Sequence, residues 1–212
     1  MFCAASLFGQ QTSQPPPAPG QTAKPPTQLP ATMSATPLTV RDKFDYRVVQ
    51  TLGLRGSGGA LISAAIGQAR NSPYEWSQGA EGFAKRYVSG FAGNLSRQTF
   101  AFVLESAFHE DPRYFPSEEK GAKARTWNAL KQVFICKTDR ESTEFAWARV
   151  MSNFAAGQFV NLWQPSSTGS VADGFTRSFI GFGGDAAYNL MQEFIPFTRP
   201  RSLRHGHLEK QP

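Results

Sequence analysis

The chain has 212 residues, 40% of them hydrophobic and 18 of them phenylalanine, which is enough for one ordinary domain and too little for two. Its formal net charge of +6 invites a nucleic-acid partner, yet residues 37–198 carry 17 basic against 15 acidic side chains and are nearly neutral. The excess lies in residues 199–212, where Arg199, Arg201, Arg204 and Lys210 face Glu209 alone, so no nucleic acid is expected and the tail reads as a solvated or lipid-facing basic segment.

Residues 1–9, Met-Phe-Cys-Ala-Ala-Ser-Leu-Phe-Gly, are apolar and small. They read as the back half of a secretory signal without its positively charged start, which predicts export and a start codon upstream. Once these residues are removed Cys136 is the only cysteine, so a packed core rather than a disulfide must hold the fold. Residues 10–37 hold eight of the 15 prolines and almost no large apolar side chain. Such a segment cannot offset the entropy of ordering and is expected to be a disordered linker, partly polyproline II.

The helical domain is predicted over residues 38–198. Thr39-x-x-Asp42 caps a first helix carrying Phe44, Val48, Val49 and Leu52 at helical spacing, with Gly53 and Gly56 ending it. From Gly58 to Arg70, Gly59, Ser63 and Gly67, or equally Ala60 and Ala64, leave one face almost bare for close packing, and at about 13 residues this helix is too short to span a bilayer. Ser77 to Phe108 forms the longest helix, its apolar stripe being Phe83, Tyr87, Phe91, Leu95 and Phe102. The charges at Glu81, Lys85, Arg86, Arg97 and Glu105 argue against a transmembrane span and place it along a core. Asp111-Pro112 stops it. Ser117-Glu118-Glu119 is expected to open a helix to Lys137 that buries Trp127, Leu130, Val133 and Phe134.

Another helix, from between Asp139 and Glu144 to Trp163, is apolar on nearly every side and is predicted to be central. The last runs from Ser170 to Phe194 with Phe175, Phe179, Phe182, Ala186, Leu190 and Phe194 on one stripe. The fold class that follows is all-α: one compact domain of about six helices with close Gly/Ala-mediated packing, little or no sheet, and disordered ends.

Chemistry is sparse. Glu105 and His109 stand four apart on one helix face with Asp111 just beyond, a spacing that suits a metal ion or an acid/base pair. The structural reading of the same residues is a histidine complementing a helix C-terminus, a helix-breaking Asp-Pro and an arginine paired to a carboxylate. Gly56-Ser-Gly58-Gly59 lacks the context of a phosphate loop, Gly181-Phe-Gly183-Gly184 reads as a packing notch, and Cys136 sits in an apolar run as an inert thiol. No cofactor is implied.

His109-Glu110-Asp111-Pro112-Arg113-Tyr114-Phe115, followed by Asn161-Leu162, Gly184-Asp185, Asn189 and Glu193-Phe194, resembles an uncharacterised family of exported bacterial proteins frequent in soil-dwelling lineages. The resemblance covers about residues 60–195. It implies export and an ordered domain without a mechanism, and raises His109, Asp111, Pro112, Arg113, Tyr114, Asp185 and Asn189 as a structural or binding motif. Arg113 is expected to reach either the unpaired carbonyls at the end of the helix that closes at His109 or a carboxylate on another helix, Asp185 before Glu193.

The function expected is that of a non-enzymatic envelope protein, periplasmic or membrane-associated. Its partners would be another envelope protein, a lipid surface or a second copy met through small-residue helix faces. The alternative is a metal-dependent or acid/base hydrolase centred on Glu105, His109 and Asp111.

Overall fold

The computed structural model describes residues 37–195, so the expectations for residues 1–9, for residues 10–36 and for the tail at 199–212 lie outside the described residues. Thr39 opens α1 (Val40–Leu52) with a capping box, its hydroxyl accepting from the Asp42 amide while the Asp42 carboxylate accepts from the Thr39 amide. Gly53 ends α1, but the chain re-enters a helix at once in α2 (Leu54–Ala69). Gly56 is therefore internal to a helix rather than a stop. A short 3-10 turn at Tyr74–Trp76 leads into α3 (Gly79–Phe108), close to the predicted span.

The segment after Asp111 departs from expectation. Ser117 to Gly121 is irregular, and α4 covers only Ala122–Lys131. A hairpin then pairs β1 (Ile135–Lys137) with β2 (Thr143–Phe145), Cys136 opposite Glu144. Strands of three residues are too short for a period of two to show, which is why the apolar Val133 to Cys136 run read as helix. α5 (Trp147–Phe159) starts after β2, and α6 (Val171–Phe194) carries the second capping box, Ser170 with Asp173.

α3 is the central helix, packed by α1, α2 and α5, in place of the predicted α5. The chain before it retraces it in reverse: Lys43 reaches the Glu105 carbonyl, while a Cβ on Gly90 would meet Ala60 and one on Gly67 would meet Arg86. The Ala60/Ala64 face of α2 is therefore the packed one, and Gly59 faces open space. α5 runs back along α3, from Ala148, whose amide donates to Glu110, to Val160, against Gly93. α6 turns again across a glycine crossing, where a Cβ on Gly157 would lie 2.4 Å from the Gly174 carbonyl oxygen.

α1, α3 and α6 fall close to where expected but turn largely the opposite way. α1 buries Lys43, Arg47, Gln50 and Thr51 and exposes Phe44, Val48, Val49 and Leu52. On α3 the buried face is Gly82, Arg86, Ser89, Gln98, Ala101 and Glu105, while Leu95 of the predicted stripe is 48% exposed. Trp127, Leu130, Phe134, Phe175, Phe179 and Phe194 are likewise exposed, Val133 and Phe182 being the large members of their stripes that are buried. The largest fully buried side chains are Lys43, Gln50, Gln98, Gln192, Glu105 and Glu193.

Candidate functional site

α3 ends because His109 takes a left-handed conformation, φ +58°, and the Glu105 carbonyl accepts from the Glu110 amide. The chain leaves sideways onto β1: the Asp111 amide donates to the Lys137 carbonyl at 2.8 Å and the Asp139 amide donates to that of His109 at 2.8 Å. This docking orients each residue of the motif. Asp111 and Arg113 close on one another, Arg113 Nε lying 3.0 Å from both Asp111 oxygens and Nη2 2.5 Å from Oδ2, with both side chains buried. Pro112 is buried beside them. Tyr114 donates its hydroxyl to Glu193 on α6 at 2.5 Å, and the Phe115 amide donates to Gln132, just after α4, at 3.0 Å.

The two carboxylates expected to face Arg113 each gather groups from several elements. Asp185 on α6 is held by Arg55 of α2 and by Arg97 of α3, at 3.0 and 3.1 Å, and accepts from Asn153 of α5 at 3.3 Å. Glu193 accepts from Tyr114, from the Ser117 amide and from Arg125 Nε at 2.8 Å. Asn189 donates to the Ala129 carbonyl and ties α6 to α4.

Glu105, His109 and Asp111 do not converge. Glu105 turns inward to a bidentate contact with Arg47, whose Nε lies 2.9 Å away. His109 points outward, its side chain 74% exposed and its Nδ1 3.4 Å from Asp139. Among the described residues no three His, Cys, Asp or Glu side chains group as a metal site. Cys136 is buried near Glu110, and burial pushes its thiol up to about 12, so it is not a thiolate at neutral pH. Of the glycine notch, only Gly181 meets a neighbour, Asn153; Gly183 and Gly184 face open space.

Apart from Arg113, sequence reasoning missed the arginines. Arg47, Arg55, Arg97, Arg113 and Arg149 converge with Asp185 on a cavity of about 20 Å³, room for one or two waters. Arg149 donates to the Gln132 and Val133 carbonyls, and Arg86 is caged by Gln68 and the carbonyls of Ser72, Pro73 and Ser77. A signal existed: Lys43, Arg47 and Gln50 recur at helical spacing, as do Gly174, Ser178, Asp185, Asn189 and Gln192. These guanidiniums are spent on carboxylates and carbonyls of their own chain, so the arrangement cross-links helices around a nearly filled interior.

No protein-family model, curated protein or solved structure matches the chain.

Proposed function

We propose that this is a non-enzymatic, membrane-associated helical protein of the bacterial envelope that acts by presenting its helix faces to its surroundings. The observation that carries the reading is the inverted polarity: Phe44, Leu54, Ile62, Val103, Phe179 and Ile180 are all more than half exposed, while Lys43, Arg47, Arg86, Glu105 and Glu193 are buried among small residues and amides. Residues 1–9 and the resemblance carried by His109 to Phe115 support export. Against the hydrolase alternative stand the inward turn of Glu105, the outward turn of His109 and the closure of Asp111 on Arg113.

Two variants of the full chain separate the readings. His109→Ala is expected to leave any phenotype of the deleted gene fully complemented, whereas Phe179→Asp, which places a charge on the apolar exterior, is expected to lose complementation. The opposite pattern would return the function to the Glu105, His109 and Asp111 set. A product retained in the cytoplasm, read by a reporter active only outside it, would overturn the envelope assignment.

A further inference from the structure

We infer that the occupant of the apolar exterior is the hydrocarbon of a lipid bilayer, and that the helical unit spans it with its charged face turned inward. This rests on the envelope reading just given.

Length and the placement of charge carry the inference. On α3 the charged side chains left exposed are Glu81 and Lys85 at the start, and the next exposed titratable group is His109; Arg86, Arg97 and Glu105 between them point inward. Val88 to Phe108 spans about 30 Å, the thickness of a bilayer core. Antiparallel to it, no exposed charge lies between Asp45 and Arg70 on α1 and α2. α6 carries Asp173, Arg177, Asp185 and Glu193, each buried or half-buried, while Phe175, Phe179, Ile180 and Met191 face out. The charge-free exterior therefore extends along α1, α2, α3 and α6, with the exposed Lys123 and Lys131 confined to α4 against α6, where a protein partner or a second copy would ask for one face.

All four tryptophans stand at the ends of the belt. Trp76 and Trp163 flank Lys85 on an apolar groove of about 610 Å³ at the α2–α3 turn. At the opposite end Trp147, 59% exposed, begins α5, and Trp127, 66% exposed, lies on α4. Amphipathic rings at two levels about a hydrocarbon thickness apart match the interfacial belts of membrane proteins. The interior meets the other demand of a bilayer, that charges inside it pair with one another: Arg47 with Glu105, and Arg55 and Arg97 with Asp185. Among the described residues no helix is by itself long and apolar enough to cross a membrane: α1, α2 and α5 are short, and α3 and α6 carry the inward Arg97, Glu105 and Asp185 beside their outward faces.

The test uses the full chain reconstituted into phosphatidylcholine vesicles brominated at a chosen depth. Native tryptophan emission is expected to fall by roughly half with bromines near the headgroups and by less with bromines near the chain ends. Leu95→Trp, at mid-belt, should add emission quenched most by the deep bromines. Emission insensitive to bromine at either depth, or native tryptophans quenched most by the deep bromines, overturns the inference. So does a chain found in the envelope fraction that alkaline carbonate strips without detergent, or one that is a monodisperse oligomer in lipid-free buffer; both leave the envelope reading standing. Retention in the cytoplasm would instead remove the reading on which the inference rests.

Discussion

Asp111 and Arg113 form a buried pair between residues two apart, and a buried charge stripped of its partner is costly. Arg113→Ala is therefore expected to cost on the order of 3 kcal/mol, with Arg113→Lys only partly restoring the loss because an ammonium cannot match the bidentate fork. Thermal unfolding in detergent of the single and double variants checks this. Coupling of Arg113 with Asp111 should exceed its coupling with Asp185, and additive losses at Asp111 and Arg113 would show that the pair does not interact. Glu110 provides a pH signature at the same loop. Burial raises its carboxyl above the ordinary value despite the Ala148 amide it accepts from, with Cys136 on β1, Arg149 on α5 and Glu105 on α3 as its titratable neighbours. A raised acid holds its proton longer in the folded state, so its contribution is fully present below the unfolded value and is lost as pH rises through the folded one. Melting followed from about pH 4 upward should show that decline in the wild type and a flatter curve for Glu110→Gln, which keeps an acceptor for Ala148.

At the scale of elements the helices meet through missing side chains. α5 crosses α6 where Gly157 faces Gly174 and Ser178, and an added Cβ would lie 2.3 Å from the Ser178 hydroxyl. Gly157→Leu should force the helices apart and cost several kcal/mol, on the order of 3, as overpacking of a rigid contact does. Gly59→Ala meets nothing within 4 Å on the outer face of α2 and is expected to gain up to about 1 kcal/mol from helix propensity. Melting temperatures of the two variants check the contrast; equal effects would mean that α2 packs through its Gly59 face after all. The periodicity of small residues announced such contacts, but Gly59/Ser63 and Ala60/Ala64 repeat equally well, and only the neighbouring helix selects between them.

Across the whole molecule the fold is tied at Asp185, where α2, α3 and α5 each send a side chain to one carboxylate of α6. Asp185→Ala would leave Arg55 and Arg97 facing each other without a counter-charge and should cost about 3–5 kcal/mol. Replacing Arg55, Arg97 and Asp185 together by leucine or methionine should cost far less, because no unpaired charge remains. Unfolding of both variants in the same detergent decides the matter: a triple variant as unstable as the single one would mean that the network is needed for its hydrogen bonds rather than for charge balance.

Local rules were enough to read α1, α3 and α6. Thr39-x-x-Asp42 and Ser170-x-x-Asp173 are capping boxes whatever surrounds them, Gly53 ends α1, and the long α3 follows from a 3.6-residue rhythm. The hairpin escaped because three-residue strands carry too little pattern. What the sequence by itself could not decide was which face of each helix lies inside, because Phe44, Val48 and Leu52 repeat with the same period as Lys43, Arg47 and Gln50. The rule that apolar faces turn inward presumes water outside, and here the packing of Ala60 on Gly90, the Arg47–Glu105 contact and the Asp185 node turn the polar stripe inward. Placing the motif followed the same division. Asp111 and Arg113 stand two apart in the chain, yet their closure on one another came from the structure, sequence reasoning having aimed Arg113 at another helix; Arg55, Arg97 and Asp185 meet across 130 residues of chain, and only the packing of α2, α3 and α6 brings them to one point.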